Sequence, residues 1–203
     1  MDTLTIEAEK ELTSRSRKKV DSILENASRL FVQFGYHKVT IESVAQYANV
    51  SKVTLYKYFD DKQDLYEYIL KRNYLVEFDD VLDIIDSPLP FEEKINEVVK
   101  ARIKKYYDKS IPIFQGEITL SLDIQKFIKE YTKKMEVARK RLYDQGKIEG
   151  FICDEITDAT LEMYFKIIQN GLVSVFKDLG ELENENLSQL LKILYAGILG
   201  CRN

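Results

Sequence analysis

The chain has 203 residues, 45% hydrophobic and 32% charged, with a formal net charge of −4. This length and balance suit one large or two small folded domains and exclude a disordered chain. No apolar run approaches the roughly 20 residues of a membrane helix, and MDTLTIEAEKEL lacks the basic-then-apolar order of a secretory signal. Only three Pro and eight Gly punctuate a chain rich in Leu, Ile, Lys and Glu, so the expected fold is all-α. Two distant cysteines, Cys153 and Cys201, read as two buried thiols in a reducing cytoplasm. The charge is uneven. Residues 13–57 carry eight Lys or Arg against three acids, whereas residues 1–12 carry four acids against one Lys. A basic module therefore sits in an acidic chain. Such local charge can attract phosphates, because the acidic remainder is screened beyond a Debye length.

The first element runs from about Arg17 to Phe34. Val20, Ile23, Leu24, Ala27, Leu30, Phe31 and Phe34 step by threes and fours into one stripe. Ser14 or Ser16 can cap it, and Gly35 ends it. Thr40 then caps a short helix whose buried face is Ile41, Val44, Ala45 and Ala48. Asn49 makes the turn, since Asn tolerates the left-handed conformation. Val50 plugs that turn. Ser51 caps a third helix, Lys52 to about Phe59, with Leu55 and Phe59 inward. Asp61 caps the next helix, with Asp64 in its first turn. Two helices joined by about three residues, the second short and polar outside, make a helix-turn-helix. Its second helix would enter a major groove with its N-terminal residues at base edges. Lys52 and Thr54 lie near that end, and Tyr56, Tyr58 and Lys62 can reach phosphates. Tyr56 and Tyr58 sit about 200° apart around a helix and cannot share one contact. An ordinary helical hairpin would show the same spacing.

Long helices are expected beyond: Lys62 to Ile85, stopping before Pro88 and Pro90; Phe91 to about Asp108; a shorter one opened or bent by Pro112; Asp123 to Gln145, broken by Gly146 and Gly150; one capped by Asp154 and ending near Leu179; and Leu187 to Leu199. Leu161, Tyr164, Phe165, Ile168, Leu172, Val175 and Phe176 form one apolar band. Leu187, Leu190, Leu191, Leu194, Ile198 and Leu199 form another. Each band is either core or half of a dimer interface, with Phe165, Leu172, Phe176, Leu190, Leu194 and Ile198 as interface candidates. Of the many aromatics most are core, but Tyr106, Phe114, Phe127, Tyr131 and Tyr164 are candidates to line an apolar pocket. Met135 and Met163 read as gap fillers first. His37 is the only histidine, and there is no CxxC, HExxH, GxGxxG, P-loop or nucleophile elbow. No metal, cofactor or enzymatic activity is expected.

The stretch GYHKVTIESVAQYANVSKVTLYKYFDDKQDLY resembles the DNA-binding signature of the tetracycline-repressor (TetR) family. The resemblance covers about Arg17 to Leu70: the stripe ending LFVQFG, the threonine opening helix two, the VA pair, the AxVS turn, TLYxYF, and DK before an apolar helix. It implies three divisions: an N-terminal extension (1–14), a helix-turn-helix domain (15–61), and a helical effector-binding and dimerisation domain (62–203). It implies that Thr40 anchors a phosphate and that Lys52, Val53 and Thr54 face bases beside the capping Ser51. Tyr56 would bind phosphate, with Tyr58 close to the backbone and Lys62 neutralising a phosphate. Two positions depart from the pattern: Asn49 replaces the usual turn glycine, and Val53 replaces the small residue before TLY. The function implied is a cytoplasmic homodimeric repressor on palindromic double-stranded DNA, released by a small apolar or amphipathic effector. Control by a protein partner, with no small effector, is the alternative.

Overall fold

In the computed structural model the described residues are 4–107 and 118–179, with 185, 186, 189, 190 and 193 beyond them. All regular structure among them is helical. Helices α1 (Ile6–Lys10), α2 (Ser14–Phe34), α3 (Ile41–Tyr47) and α4 (Lys52–Tyr56) are followed by α5 (Lys62–Asp86), α6 (Phe91–Tyr107), α7 (Leu122–Ile148) and α8 (Asp158–Leu179). The chain divides into two compact units, one of residues 1–76 and 108–129, the other of 77–107 and 130–203. Helices α5 and α7 each contribute to both.

In the first unit, α2 buries Val20, Ile23, Leu24, Ala27, Leu30 and Phe31, as the stripe predicts, although Phe34 is exposed. The helix begins earlier than expected. Thr13, not Ser14 or Ser16, is the cap, accepting from Ser16 N–H at 3.3 Å. Gly35 closes α2 at φ 78°, its N–H donating to the Phe31 carbonyl. Against α2 pack Val39, Ile41, Val44, Ala45 and Ala48, then Leu55 and Phe59, then Leu65, Tyr66, Tyr68, Ile69 and Leu70 of α5, and Ile124 of α7. Helix α4 ends at Tyr56, three residues short of the expectation. Phe59 nonetheless stays fully buried, because its N–H and that of Tyr58 both turn back to the Leu55 carbonyl. Asp61 accepts from Asp64 N–H (2.8 Å) and Asp64 from Asp60 N–H (3.0 Å), two local hydrogen bonds at the start of α5. The N-terminal stretch, expected as an extension, contains α1, and Leu4, Ile6 and Leu12 pack on this core.

The second unit is built on Val81, Ile85, Phe91, Ile95, Val98, Val99, Met135, Leu142, Tyr143, Phe151, Ile152, Leu161 and Ile168. Buried Lys94 ties α5 to α7, donating to the Ile85 carbonyl (2.6 Å) and Gln145 Oε1 (2.8 Å). Glu149 accepts from Phe91 N–H at 2.9 Å and so caps α6 from a distance. Gly146 does not break α7. It lies inside the helix, where an added Cβ would come within 2.7 Å of Ile152 Cδ1 and 2.8 Å of the Phe91 ring. Close approach, not a turn, is its reason. Gly150, at φ 74°, makes the turn. Helix α8 starts at Asp158, capped by Thr157, whose hydroxyl accepts from Thr160 N–H at 3.2 Å; Asp154 lies in the preceding turn. Cys153 is disulfide-bonded, which corrects its reading as a thiol. Met163 is exposed, so it fills no core gap. The helix opened by Pro112 lies outside the described residues, as does most of 187–199.

Candidate nucleic-acid interface

The turn between α3 and α4 is made by local chemistry. Thr40 and Ser43 form a reciprocal capping box, with Ser43 N–H to Thr40 Oγ1 at 3.1 Å and Thr40 N–H to Ser43 Oγ at 3.2 Å. Asn49 adopts φ 53°, the positive value for which Asn suits the turn. Val50 packs on the core beneath it. Ser51 caps α4, accepting from Thr54 N–H at 3.0 Å, and its hydroxyl meets that of Thr54 at 2.9 Å. With Leu55 alone of α4 buried, the helix is pinned by one side and its cap.

That arrangement turns the rest of α4 outward. Val53 is 80% exposed, and Ser51, Lys52 and Tyr56 are exposed with it, Thr54 half so. Thr40 is exposed at the start of α3. An exposed β-branched residue one position into a helix has no packing role; it offers two methyl groups to whatever lies against this face. The exposed set therefore holds hydroxyl, ammonium, methyl and phenol groups on two short helices. These are the group types that contact phosphates, base edges and thymine methyls.

Two candidates are placed differently. The Tyr58 residue is only 6% exposed and belongs to the core, with the Lys57 ammonium 5.7 Å from its ring centroid. Lys62 is half-buried. Its ammonium donates to the carbonyls of Tyr36 and Val39, both at 2.9 Å, and lies 4.2 Å from the Tyr36 ring centroid. Burial holds the Lys62 ammonium below the usual lysine range. Two of its three N–H donors are thus committed to the loop that leads into Thr40.

Sequence reasoning missed three features. Tyr47, at the end of α3, is exposed. Glu42 pairs with Lys52 across the turn. The N-terminal stretch docks onto this unit: Leu4 N–H donates to the Tyr58 carbonyl at 2.9 Å, Arg17 to the Lys10 carbonyl at 2.8 Å, and the Tyr68 hydroxyl to Glu9. Arg72 pairs with Asp21 at 3.1 Å and with Glu9 at 3.5 Å. The only hint in the sequence was the spacing of Leu4, Ile6 and Leu12.

The described pocket and interface candidates are distributed over the two units. Phe127 packs on the first core, its ring 6.4 Å from that of Tyr74. Tyr131 lies 5.6 Å from Phe78, with its phenol pushed up first by burial and then by Asp79. Tyr164 and Phe165 meet edge-on at 6.4 Å beside the second core, and Phe165 also lies 5.7 Å from Tyr143. Leu190 packs on that core too. The side chains of Tyr106, Leu172 and Phe176, and all of Phe114, Leu194 and Ile198, fall outside the described residues. Among the described side chains of α8, Met163 and Ile167, four residues apart, are exposed. Asn73 on α5 carries a buried amide nitrogen, Nδ2, with no hydrogen-bond partner among the described residues.

A helix-turn-helix with an outward recognition helix, in a chain that continues as long helices, defines a class of DNA-binding regulators. The model of the family described as bacterial regulatory proteins, tetR family, matches residues 23–69. Over 163 residues the chain is 32% identical to an uncharacterized HTH-type transcriptional regulator, YhgD of Bacillus subtilis (strain 168), covering 76% of this chain and 84% of that protein. It is 39% identical over 51 residues to IcaR, the biofilm operon icaADBC negative transcriptional regulator of Staphylococcus aureus (strain Newman), covering 25% of this chain and 27% of that one. The structure of AibR in complex with isovaleryl coenzyme A and operator DNA is similar in fold, with a TM-score of 0.68 at 21% identity over 88% of this chain and 98% of that one. The chain belongs to the TetR family of bacterial transcriptional regulators. It is a regulator of transcription and not an enzyme.

Proposed function

We propose that the protein is a cytoplasmic homodimeric repressor that grips a palindromic operator and is released by a small apolar or amphipathic effector. The observation that carries the reading is the outward face of α4, with Val53 exposed between Lys52 and Thr54. Lys52, Val53 and Thr54 face bases beside Ser51, while Thr40 and Tyr56 hold phosphates. Lys62 keeps one donor for a phosphate while its other two brace the loop before Thr40. Tyr58 serves as core. The working division is an extension (1–14), a reading domain (15–61) and an effector and dimer domain (62–203).

Dimerisation is favoured by the exposed Met163 and Ile167 on α8, and by the geometry of DNA: half-sites one helical turn apart, ~34 Å, need two reading heads. Repression is the activity of IcaR, and AibR has been captured with both an acyl-coenzyme A and its operator. For an effector, Asn73 offers a buried donor that meets no acceptor among the described residues. The reading carries its signal through hydrogen bonds within the first unit. Glu67 on α5 accepts from the N–H (2.7 Å) and hydroxyl (2.6 Å) of Ser121, just before α7, and Lys62 on the same helix grips Tyr36 and Val39. An effector preferring the non-binding arrangement by about 1–3 kcal/mol lowers operator affinity about 5–150-fold.

The test is fluorescence anisotropy on selected duplexes at low salt, with sedimentation of the complex and a thermal-shift screen of acyl-coenzyme A thioesters and other apolar acids. The expected result is two protomers per duplex and dissociation by a ligand that raises the melting temperature. Duplex binding without any ligand response favours control by a protein partner. No duplex binding at low salt overturns the reading.

A further inference from the structure

Glu42 is the least expected group on the outward face. It lies in the first turn of α3, and its carboxylate accepts from the Lys52 ammonium at the start of α4. Both side chains are exposed. Lys52's hydrogen bond holds the Glu42 carboxyl below the usual range, and Glu42 holds the ammonium above it, so both are charged at neutral pH. Exposed ion pairs contribute little to stability, so stability gives no reason for it. A carboxylate facing DNA is repelled by phosphates and weakens binding to every sequence. It helps only where a base-edge donor meets it.

In the major groove those donors are the amino groups of cytosine and adenine. The pair bridges the turn and joins the two helices of the motif, so the carboxylate and ammonium are presented together as a fixed acceptor and donor. Lys52 gives one of its three N–H groups to Glu42 and keeps two. Guanine offers two adjacent acceptors, O6 and N7, whereas adenine offers N7 alone. The flanking Val53 and Thr54 supply apolar and hydroxyl contacts but no second charge.

We propose that Glu42 and Lys52 form one specificity-determining unit that reads a G·C base pair in each half-site. The ammonium donates to guanine O6 and N7, and the carboxylate accepts from the cytosine amino group. Glu42 also lowers affinity for every other sequence, because its charge is offset only at that base pair. This rests on the DNA-reading role of α4 proposed above and names what part of it reads.

The test is selection from randomised duplexes, followed by anisotropy on the selected and scrambled sequences, for the wild type, Glu42→Ala, Lys52→Ala and the double variant. Both side chains are exposed, and unchanged thermal melts establish that each variant folds. The expected result is a G·C preference at one position per half-site that falls about tenfold in either single variant. The double variant loses no more than the worse single one, the signature of a coupled pair. Glu42→Ala alone also tightens binding to scrambled duplex. An unchanged preference in Glu42→Ala, with tighter binding to every duplex, makes the pair a plain surface bridge and overturns the proposal. A position that prefers A·T in the wild type and loses it with Glu42 overturns the G·C assignment. Failure of the wild type to bind any duplex at low salt overturns the reading of α4 itself. The first two outcomes leave that reading standing.

Discussion

Helices α3 and α4 of the first unit have seven and five residues, whereas α6 and α8 of the second have 17 and 22. Helices that short are unstable alone in water. The first unit keeps them by giving each a side-chain cap and fixing its inward residues on α2. Every other position is then free to face outward, and its chemistry can be assigned from the residue itself. The second unit holds its helices by long apolar stripes, and an exposed residue there acquires meaning only from whatever covers it. The contrast explains why one unit reads as a site and the other as a scaffold.

The largest expected effects test whether the two units really stand on separate cores. Phe59→Ala and Phe91→Ala each delete a fully buried ring and should cost about 3–5 kcal/mol. Hydrogen exchange should place the lost protection in the first unit for Phe59→Ala and in the second for Phe91→Ala. Equal loss in both units for either variant would make them one cooperative block and remove the comparison. Gly146→Ala should cost about 1–3 kcal/mol in urea unfolding, since its Cβ collides with Ile152 and Phe91. If Gly146 served only as a helix breaker, the same change would stabilise α7.

Lys62→Met sharpens the account of the reading head. It strands the Tyr36 and Val39 carbonyls and should cost about 1–3 kcal/mol. A remaining phosphate contact adds a second signature, a salt slope of DNA binding lower by about one unit. Loss of stability with an unchanged slope would leave Lys62 as a brace alone, and an altered base preference would contradict both roles. Smallest is Thr40→Ala, which removes a capping box and should cost about 1 kcal/mol by thermal unfolding. It should also weaken all duplexes alike if Thr40 holds a phosphate.

The reading head was largely legible because its determinants are local. Caps at Thr40 and Ser51, the left-handed Asn49 and the α2 stripe are each decided within a few residues. What was hidden depends on tertiary neighbours. Tyr58 looks outward by spacing, yet the docked N-terminal stretch and the early end of α4 leave it buried. Lys62 reads as a free cation because nothing in the sequence places the Tyr36 and Val39 carbonyls beside it. Gly146 looks like a breaker because its neighbour Phe91 is 55 residues away. The same reasoning separates Met163 from Met135: both fit a gap filler by composition, but only Met135 is buried.

The most direct test uses two exposed apolar residues, one in each unit. Val53, 80% exposed, lies in the first turn of α4, and Ile148, 85% exposed, ends α7. Neither packs in a core, so Val53→Glu and Ile148→Glu should both melt like the wild type. In anisotropy on a selected duplex at low salt, Val53→Glu should weaken binding roughly 100-fold or more, because a carboxylate is set against the groove. Ile148→Glu should leave affinity unchanged. Wild-type affinity in folded Val53→Glu would contradict the claim that this face of α4 meets DNA.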